Sequence, residues 1–82
     1  MIRYTERFAR ELAELECSEA YYLMLRATIE RAEQVPNMGQ RVRFRPDMFR
    51  VLAGTHHVYY RVEPEGIVVV RLMHTRRMRG RP

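Results

Sequence analysis

The sequence predicts a single α+β domain in which a two-helix hairpin covers one face of a four-stranded, mostly antiparallel sheet. Two segments in the first half place apolar residues at helical spacing, and the second half alternates with a period of two. The turn-rich stretch 36–39 separates the two patterns. Because 82 residues suffice for one core only, we expect residues 1–82 to form one domain with a loose tail at 78–82.

The first half predicts a short strand at 1–4 and then two helices. Thr5 can cap a first helix that begins at Glu6. Ser18 can cap a second helix, which runs to about Gln34 and ends before Pro36.

The second helix is apolar on more than one side near its start, where residues 20–25 are six consecutive apolar residues. Spacing by three and four predicts a deep face made of Tyr22, Leu25, Ile29 and Ala32. The excess of apolar side chains has two explanations, which are packing against both a helix and the sheet, or a patch that binds a partner.

Four strands are predicted in the second half, at 41–45, 49–53, 56–62 and 67–74. Pro46-Asp47 and Gly54 supply the first two turns. Glu63-Pro64-Glu65-Gly66 supplies the third, with Pro and Gly at the second and fourth positions of a type I turn.

Alternation along each strand assigns its residues to two faces. The inner face, against the helices, is predicted to contain Val42, Phe44, Phe49, Val51, Ala53, Val58, Tyr60, Val62, Val68, Val70 and Leu72. The opposite face is predicted to contain Arg41, Arg43, Arg45, Arg50, His57, Tyr59, Arg61, Val69, Arg71 and Met73.

The charge is concentrated in the second half. All fifteen cationic side chains are Arg; residues 41–82 carry ten of them against three acids, net +7, and residues 1–40 carry five against seven, net −2, which together give +5. A basic half predicts a nucleic-acid surface or an acidic protein partner. The single cysteine, Cys17, and the lack of a signal peptide or membrane span predict a cytoplasmic protein.

The polar sheet face has three interpretations. It is an ordinary solvated face, or a polyanion-binding face extended by Arg76 and Arg77, or a site of RNA cleavage. Cleavage requires a base with a pKa near neutrality and nearby cations, for which the candidates are His57, Arg50, Arg61 and Arg71. We expect no metal site, because His56 and His57 point to opposite faces of one strand.

Four segments carry a resemblance to a known family. In chain order they are Pro36-Asn37-Met38-Gly39, Phe49-Arg50-Val51-Leu52, the strand Val58-Tyr59-Tyr60-Arg61-Val62 with its Gly-closed turn, and Val70-Arg71-Leu72-Met73-His74-Thr75-Arg76-Arg77. Together they resemble the RelE/ParE superfamily of bacterial toxins. The resemblance implies the toxin of a type II toxin–antitoxin module, without a cofactor, bound by a cognate antitoxin whose C-terminal segment wraps it.

Members of that superfamily have two kinds of target. One branch cleaves mRNA in the ribosomal A site, and the other poisons DNA gyrase without being a nuclease. The cleaving branch typically has an Arg where this chain has His57, and a catalytic Tyr or His beyond the last strand, whereas this chain has no Tyr after Tyr60. The Met38-Gly39 connector and the ending Leu72 to Arg77 look more like the ParE branch.

The resemblance therefore favours a gyrase inhibitor that is not an enzyme. A ribosome-dependent endoribonuclease is the alternative, and a non-toxic binding module with the same fold is a further one. An acidic, partly apolar antitoxin is expected to contact Tyr21, Leu23, Met24, Val69 and Met73.

Overall fold

The computed structural model describes residues 1–76; Arg77 and the predicted tail at 78–82 lie outside the described residues. The elements in chain order are β1 (Ile2–Tyr4), α1 (Glu6–Glu14), α2 (Glu19–Gln34), a short 3-10 helix (Pro36–Met38), β2 (Gln40–Val42), β3 (Arg45–Ala53), β4 (His56–Glu63) and β5 (Gly66–His74). Within this part of the chain, neither helix combines the length and apolar character needed to cross a membrane.

The strands form one five-stranded sheet in the order β1-β5-β4-β3-β2. β1 lies parallel to β5, and the other neighbours are antiparallel. The predicted α+β class with a two-helix hairpin is confirmed, and the N-terminal strand adds a fifth member to the sheet.

Both predicted helix caps are present. The Thr5 hydroxyl accepts a hydrogen bond from the Phe8 amide at 3.1 Å, and the Ser18 hydroxyl accepts one from the Tyr21 amide at 3.1 Å. Thr5 also donates to the Val70 carbonyl at 2.7 Å. Since Thr5 follows β1 directly, this pair of bonds fixes the start of α1 against β5.

The core lies between the helices and the inner sheet face. Its buried members are Phe8, Leu25, Ile29, Ala32, Phe49, Ala53, Val58, Tyr60, Ile67, Val69 and Leu72. Complete burial of such an apolar side chain stabilises the fold by about 1.5–3 kcal/mol. Tyr22, predicted in the deep face of α2, is 43% exposed and is not part of this core.

A bulge in β5 corrects the predicted faces of that strand. Tyr59 pairs with Arg71 but Tyr60 pairs with Val69, so Val70 is an extra residue. One extra residue reverses the alternation on one side of it. Val69 is therefore fully buried in the core, and Val68, predicted inward, shares a face with Arg61.

The first hairpin also differs from its prediction. Its turn is Arg43-Phe44 rather than Pro46-Asp47, and Arg45 already pairs with Val42. Phe44, predicted to point inward, is 88% exposed. Val62, also predicted inward, is exposed near the end of β4.

Candidate target-binding face

The sheet face away from the helices carries side chains in three cross-strand rows. Pairing aligns Leu52, His57 and Met73 in the first row, Arg50, Tyr59 and Arg71 in the second, and Met48, Arg61, Val68 and Arg3 in the third. We call these ten residues the outer face. It brings together Arg50, His57, Tyr59, Arg61, Arg71 and Met73 of the predicted site residues.

Arg71 is held by an ion pair to α1. Its Nη2 and Nε donate to Oε2 of Glu11 at 2.9 and 3.2 Å, while Oε1 of Glu11 accepts the Leu72 amide at 2.8 Å. β1 pairs with β5 only at residues 67–69, which leaves the next stretch of β5 without a neighbouring strand there. The Glu11 carboxylate therefore does two things: it accepts a hydrogen bond from a backbone amide on the open edge of β5, and it neutralises the charge of Arg71.

The third row is also charge-compensated. Glu63 accepts from Arg61 at 3.3 Å and from Arg3 at 2.7 Å, through its two carboxylate oxygens. Both arginines are partly exposed, so each pair contributes little to stability. Because one carboxylate is shared by two arginines, the net positive charge at this end of the outer face is halved.

His57 lies half-buried at the centre of the first row. Burial lowers the pKa of its imidazole below the usual value, and the neighbouring Arg50 guanidinium lowers it further. Among residues 1–76, no group accepts from or donates to its buried Nδ1. The ring is consequently neutral at neutral pH. Arg50 donates to the Gln40 side chain at 3.3 Å.

The predicted arginines of β2 do not join this face. Arg41 pairs with Phe49, a core residue, and its guanidinium lies 5.3 Å from the Phe49 ring centroid. The register shift between Arg41 and Val42 explains the wrong prediction, since it changes which residue of β2 points outward. Arg43 lies in the hairpin turn, and Arg45 follows the turn directly. Arg76 is exposed beyond β5.

The predicted antitoxin contacts are divided between two sides of the molecule. Met73 lies on the outer face, whereas Leu23, which is 50% exposed, and Met24 are on α2. Val69 is buried completely, so this contact prediction was wrong. Tyr21 is engaged within the chain, as its hydrogen bonds show.

Tyr21 fastens the β3–β4 turn to α2. Its hydroxyl accepts the Thr55 amide at 2.9 Å and lies 2.7 Å from Nδ1 of His56. Burial, and then the neighbouring His74, lower the pKa of His56. A Cβ at Gly54, whose φ is +63°, would lie 2.6 Å from the Tyr21 ring. These contacts give Tyr21 and His56 a structural role.

A groove between α1 and α2 is a feature that the sequence reasoning did not identify. It encloses about 360 Å³ and is lined by Tyr4, Phe8, Ala9, Leu12, Tyr22, Leu25, Arg26 and Ile29. Tyr4 and Tyr22 are 51% and 43% exposed at its rim. Two half-exposed aromatic residues, Tyr4 at the end of β1 and Tyr22 on the apolar stripe of α2, are the signal that points to it.

Comparison with known proteins agrees with this architecture. A chain of the RelB–RelE antitoxin–toxin complex from Methanococcus jannaschii superimposes on this chain with a TM-score of 0.72, at 13% identity and over 94% of each chain. At that identity the likeness shows a shared fold. No curated protein sequence is a significant match.

A family model gives the more specific result. The model for the ParE toxin of the type II toxin–antitoxin system parDE matches residues 2–79. That range includes both helices, all five strands and the outer face. It confirms the RelE/ParE resemblance found in the sequence, and this chain therefore belongs to the family of ParE toxins of type II toxin–antitoxin systems.

Proposed function

We propose that the protein is a cytoplasmic toxin that inhibits DNA gyrase and is neutralised by a cognate antitoxin. Membership of the ParE toxin family supports the toxin assignment. The observation that carries the choice of gyrase is the composition of the outer face, where Arg61 and Arg71 are already paired with acids and Leu52 is an exposed apolar residue.

Such a face suits a protein target better than a phosphodiester. Leu52 is 59% exposed at the β3 end of the first row, where it pairs with His57, and His57 pairs in turn with Met73. Aromatic residues, Met and Arg are the types enriched in protein interfaces. RNA cleavage requires cations that can stabilise the developing negative charge, and an arginine already bound to a carboxylate serves that purpose poorly.

The groove between α1 and α2 is our proposed antitoxin site. Its apolar lining and open shape suit the apolar face of an antitoxin helix, which is a common mode of peptide recognition. Arg26 at the rim can contact an acidic residue of that helix. Since Glu30 is its i+4 partner at 3.2 Å, such a contact has to compete with an exposed ion pair of small energy.

Expression of the chain alone tests the proposed target. We expect growth arrest accompanied by a DNA-damage response, with bulk mRNA intact. Leu52→Asp should relieve the arrest, because it places a charge at the most exposed apolar position of the outer face. Leu23→Asp is the matched control, as Leu23 is similarly exposed but lies on α2. Arrest that persists in Leu52→Asp would contradict the proposed face, and unaffected growth of cells with the wild-type chain would favour a non-toxic binding module.

The antitoxin site has a separate test. A short adjacent reading frame that encodes an acidic protein should supply the antitoxin. In co-expression, Tyr22→Glu should remain toxic and escape neutralisation, because a charge would enter the apolar groove. Leu23→Glu lies outside the groove lining and should still be neutralised. The reverse pattern would move the antitoxin to the other side of α2.

A ribosome-dependent endoribonuclease is the second candidate, and the state of His57 is the observation in its favour. A neutral imidazole can accept a proton from a ribose hydroxyl, and Arg50 lies close enough to lower its pKa. In this case His57→Ala should abolish both toxicity and mRNA cleavage. Intact cleavage in that variant would exclude His57 as the base.

A further inference from the structure

The turn between β2 and β3 presents an aromatic ring to solvent. Phe44 is 88% exposed at the tip of the hairpin, and the Arg43 guanidinium lies 5.4 Å from its ring centroid. The ring therefore has one face covered by a cation and one face open. It makes no contribution to the core, which contains other residues only.

Phe44 also has an unfavourable backbone conformation. Its φ is +66°, and it is the one non-glycine residue of 1–76 with a positive φ. A negative φ at Arg43 followed by a positive φ at Phe44 is the pattern of a type II turn, whose second central residue is usually Gly or Asn. A bulky side chain at this position is disfavoured. Neither the turn nor the core thus explains why a Phe is present.

The surroundings of the ring are basic. Arg41, Arg43 and Arg45 follow one another along the hairpin, and the Arg41 side chain bridges to the Pro46 carbonyl at 2.9 Å. Among residues 1–76, no carboxylate lies within ion-pair distance of Arg43 or Arg45. An open concavity lined by residues 40–46 and Arg50 adjoins the turn.

We propose that this hairpin turn is a binding site for single-stranded nucleic acid, in which Phe44 stacks on an unpaired base and Arg43 and Arg45 contact the flanking phosphates. Exposed aromatic rings in a basic setting are the elements with which proteins bind single strands. Arg43 covers one ring face, so one base can stack on the other. Insertion between the base pairs of a duplex would require both ring faces to be free.

The three residues of this site, Arg43, Phe44 and Arg45, are not part of the outer face, although Arg50 borders both surfaces, and the site does not depend on the gyrase proposal. The hairpin lies at the β2 edge of the sheet, and oligonucleotide binding requires no gyrase. Loss of oligonucleotide binding and loss of gyrase inhibition are consequently separate results that separate measurements detect.

Phe44→Trp provides a direct test, because the chain contains no other Trp. A labelled single-stranded deoxynucleotide of about twelve residues is titrated into the full-length variant, with its duplex form and poly-glutamate as comparison ligands. We expect the single strand to bind and to quench the Trp fluorescence. The duplex should quench less, and poly-glutamate should not quench.

Phe44→Asn separates binding from folding. Asn tolerates a positive φ, so the variant should melt at the wild-type temperature or above it. Its affinity for the single strand should fall by at least about fivefold, the effect of losing one stacked base. Leu52→Asn, which removes another exposed apolar side chain, one on the outer face, should bind the oligonucleotide as the wild type does.

Charge is tested independently by replacing Arg43 and Arg45 with Gln. Each lost phosphate contact should reduce the slope of log affinity against log salt by about 0.7. The proposal is overturned if Phe44→Asn binds the oligonucleotide as tightly as the wild type. It is equally overturned if poly-glutamate quenches Phe44→Trp as strongly as the oligonucleotide does, because the turn would then be a contact for an acidic protein. Unfolding of Phe44→Asn would also overturn it, because Phe44 would then have a structural role.

Discussion

Replacement of Glu11 by Ala should destabilise the fold more than replacement of any other acidic residue of α1 by Ala. The Glu11 carboxylate makes two different connections to β5, an ion pair with Arg71 and a hydrogen bond from the Leu72 amide. Both side chains of the ion pair are less than a quarter exposed, which limits screening by water. The change to Ala removes both connections and leaves a strand edge unpaired.

The expected loss follows from these two contacts. A part-buried amide left without an acceptor costs about 1–3 kcal/mol. The ion pair adds about 1 kcal/mol once its partial exposure is discounted. We therefore expect the free energy of unfolding to fall by about 2–4 kcal/mol, a large fraction of the stability of a small domain. Glu11→Gln keeps an oxygen for the Leu72 amide and should lose only about 1 kcal/mol.

Urea denaturation followed by circular dichroism measures these differences. Glu14→Ala is the control, because Glu14 is an exposed acid on the same helix, and its loss should stay within about 0.5 kcal/mol. If Glu11→Ala and Glu14→Ala lose equal stability, or if Glu11→Gln loses as much as Glu11→Ala, the edge of β5 does not depend on Glu11 and the reasoning is refuted.

Two further predictions concern buried polar groups. Tyr60→Phe should lower the free energy of unfolding by about 1–3 kcal/mol in urea melts. The reason is that the Tyr60 hydroxyl donates to the Pro36 carbonyl at 2.6 Å and accepts the Gly39 amide at 3.2 Å. Tyr22→Phe, at an exposed position, is the control and should leave the free energy of unfolding unchanged. Thermal melts should show stability falling as the pH drops from about 7.5 to about 5.5. The pKa of His56 is lowered in the folded state, so the unfolded chain binds the proton more readily than the folded chain does. If His56→Asn shows the same dependence of melting temperature on pH, His56 is not its source.

The elements of the fold were predictable because their signals are local. Thr5 and Ser18 are cap residues at the start of apolar stripes, and both caps form as expected. The connector at 36–39 ends the helical half, as its Pro and Gly indicate.

The facing of some side chains was not predictable, because it depends on register. Residues 67–70 are four β-branched residues in a row, and nothing in them indicates that Val70 is the extra residue of a bulge. Likewise, Pro46 favours a turn, yet the turn forms two residues earlier, at Phe44. Each shift reverses the face of neighbouring residues, which moved Val69 into the core and Arg41 away from the outer face.

The candidate site was predicted in part for the same reason. His57, Tyr59 and Arg61 follow strict alternation within β4, and the structure places them on one face as expected. The acidic partners of the arginines could not be predicted from the alternation of residues along the strands. Glu11 lies sixty residues before Arg71 in the sequence, so only the packing of α1 against β5 brings the two together.

Gyrase supercoiling in the presence of the purified chain tests the central proposal most directly. With purified gyrase, ATP and relaxed plasmid, the wild-type chain should block supercoiling, Leu52→Asp should not, and the cognate antitoxin should restore the reaction. A chain that leaves supercoiling untouched in molar excess, and instead cuts mRNA in a reconstituted translation reaction, would contradict the account.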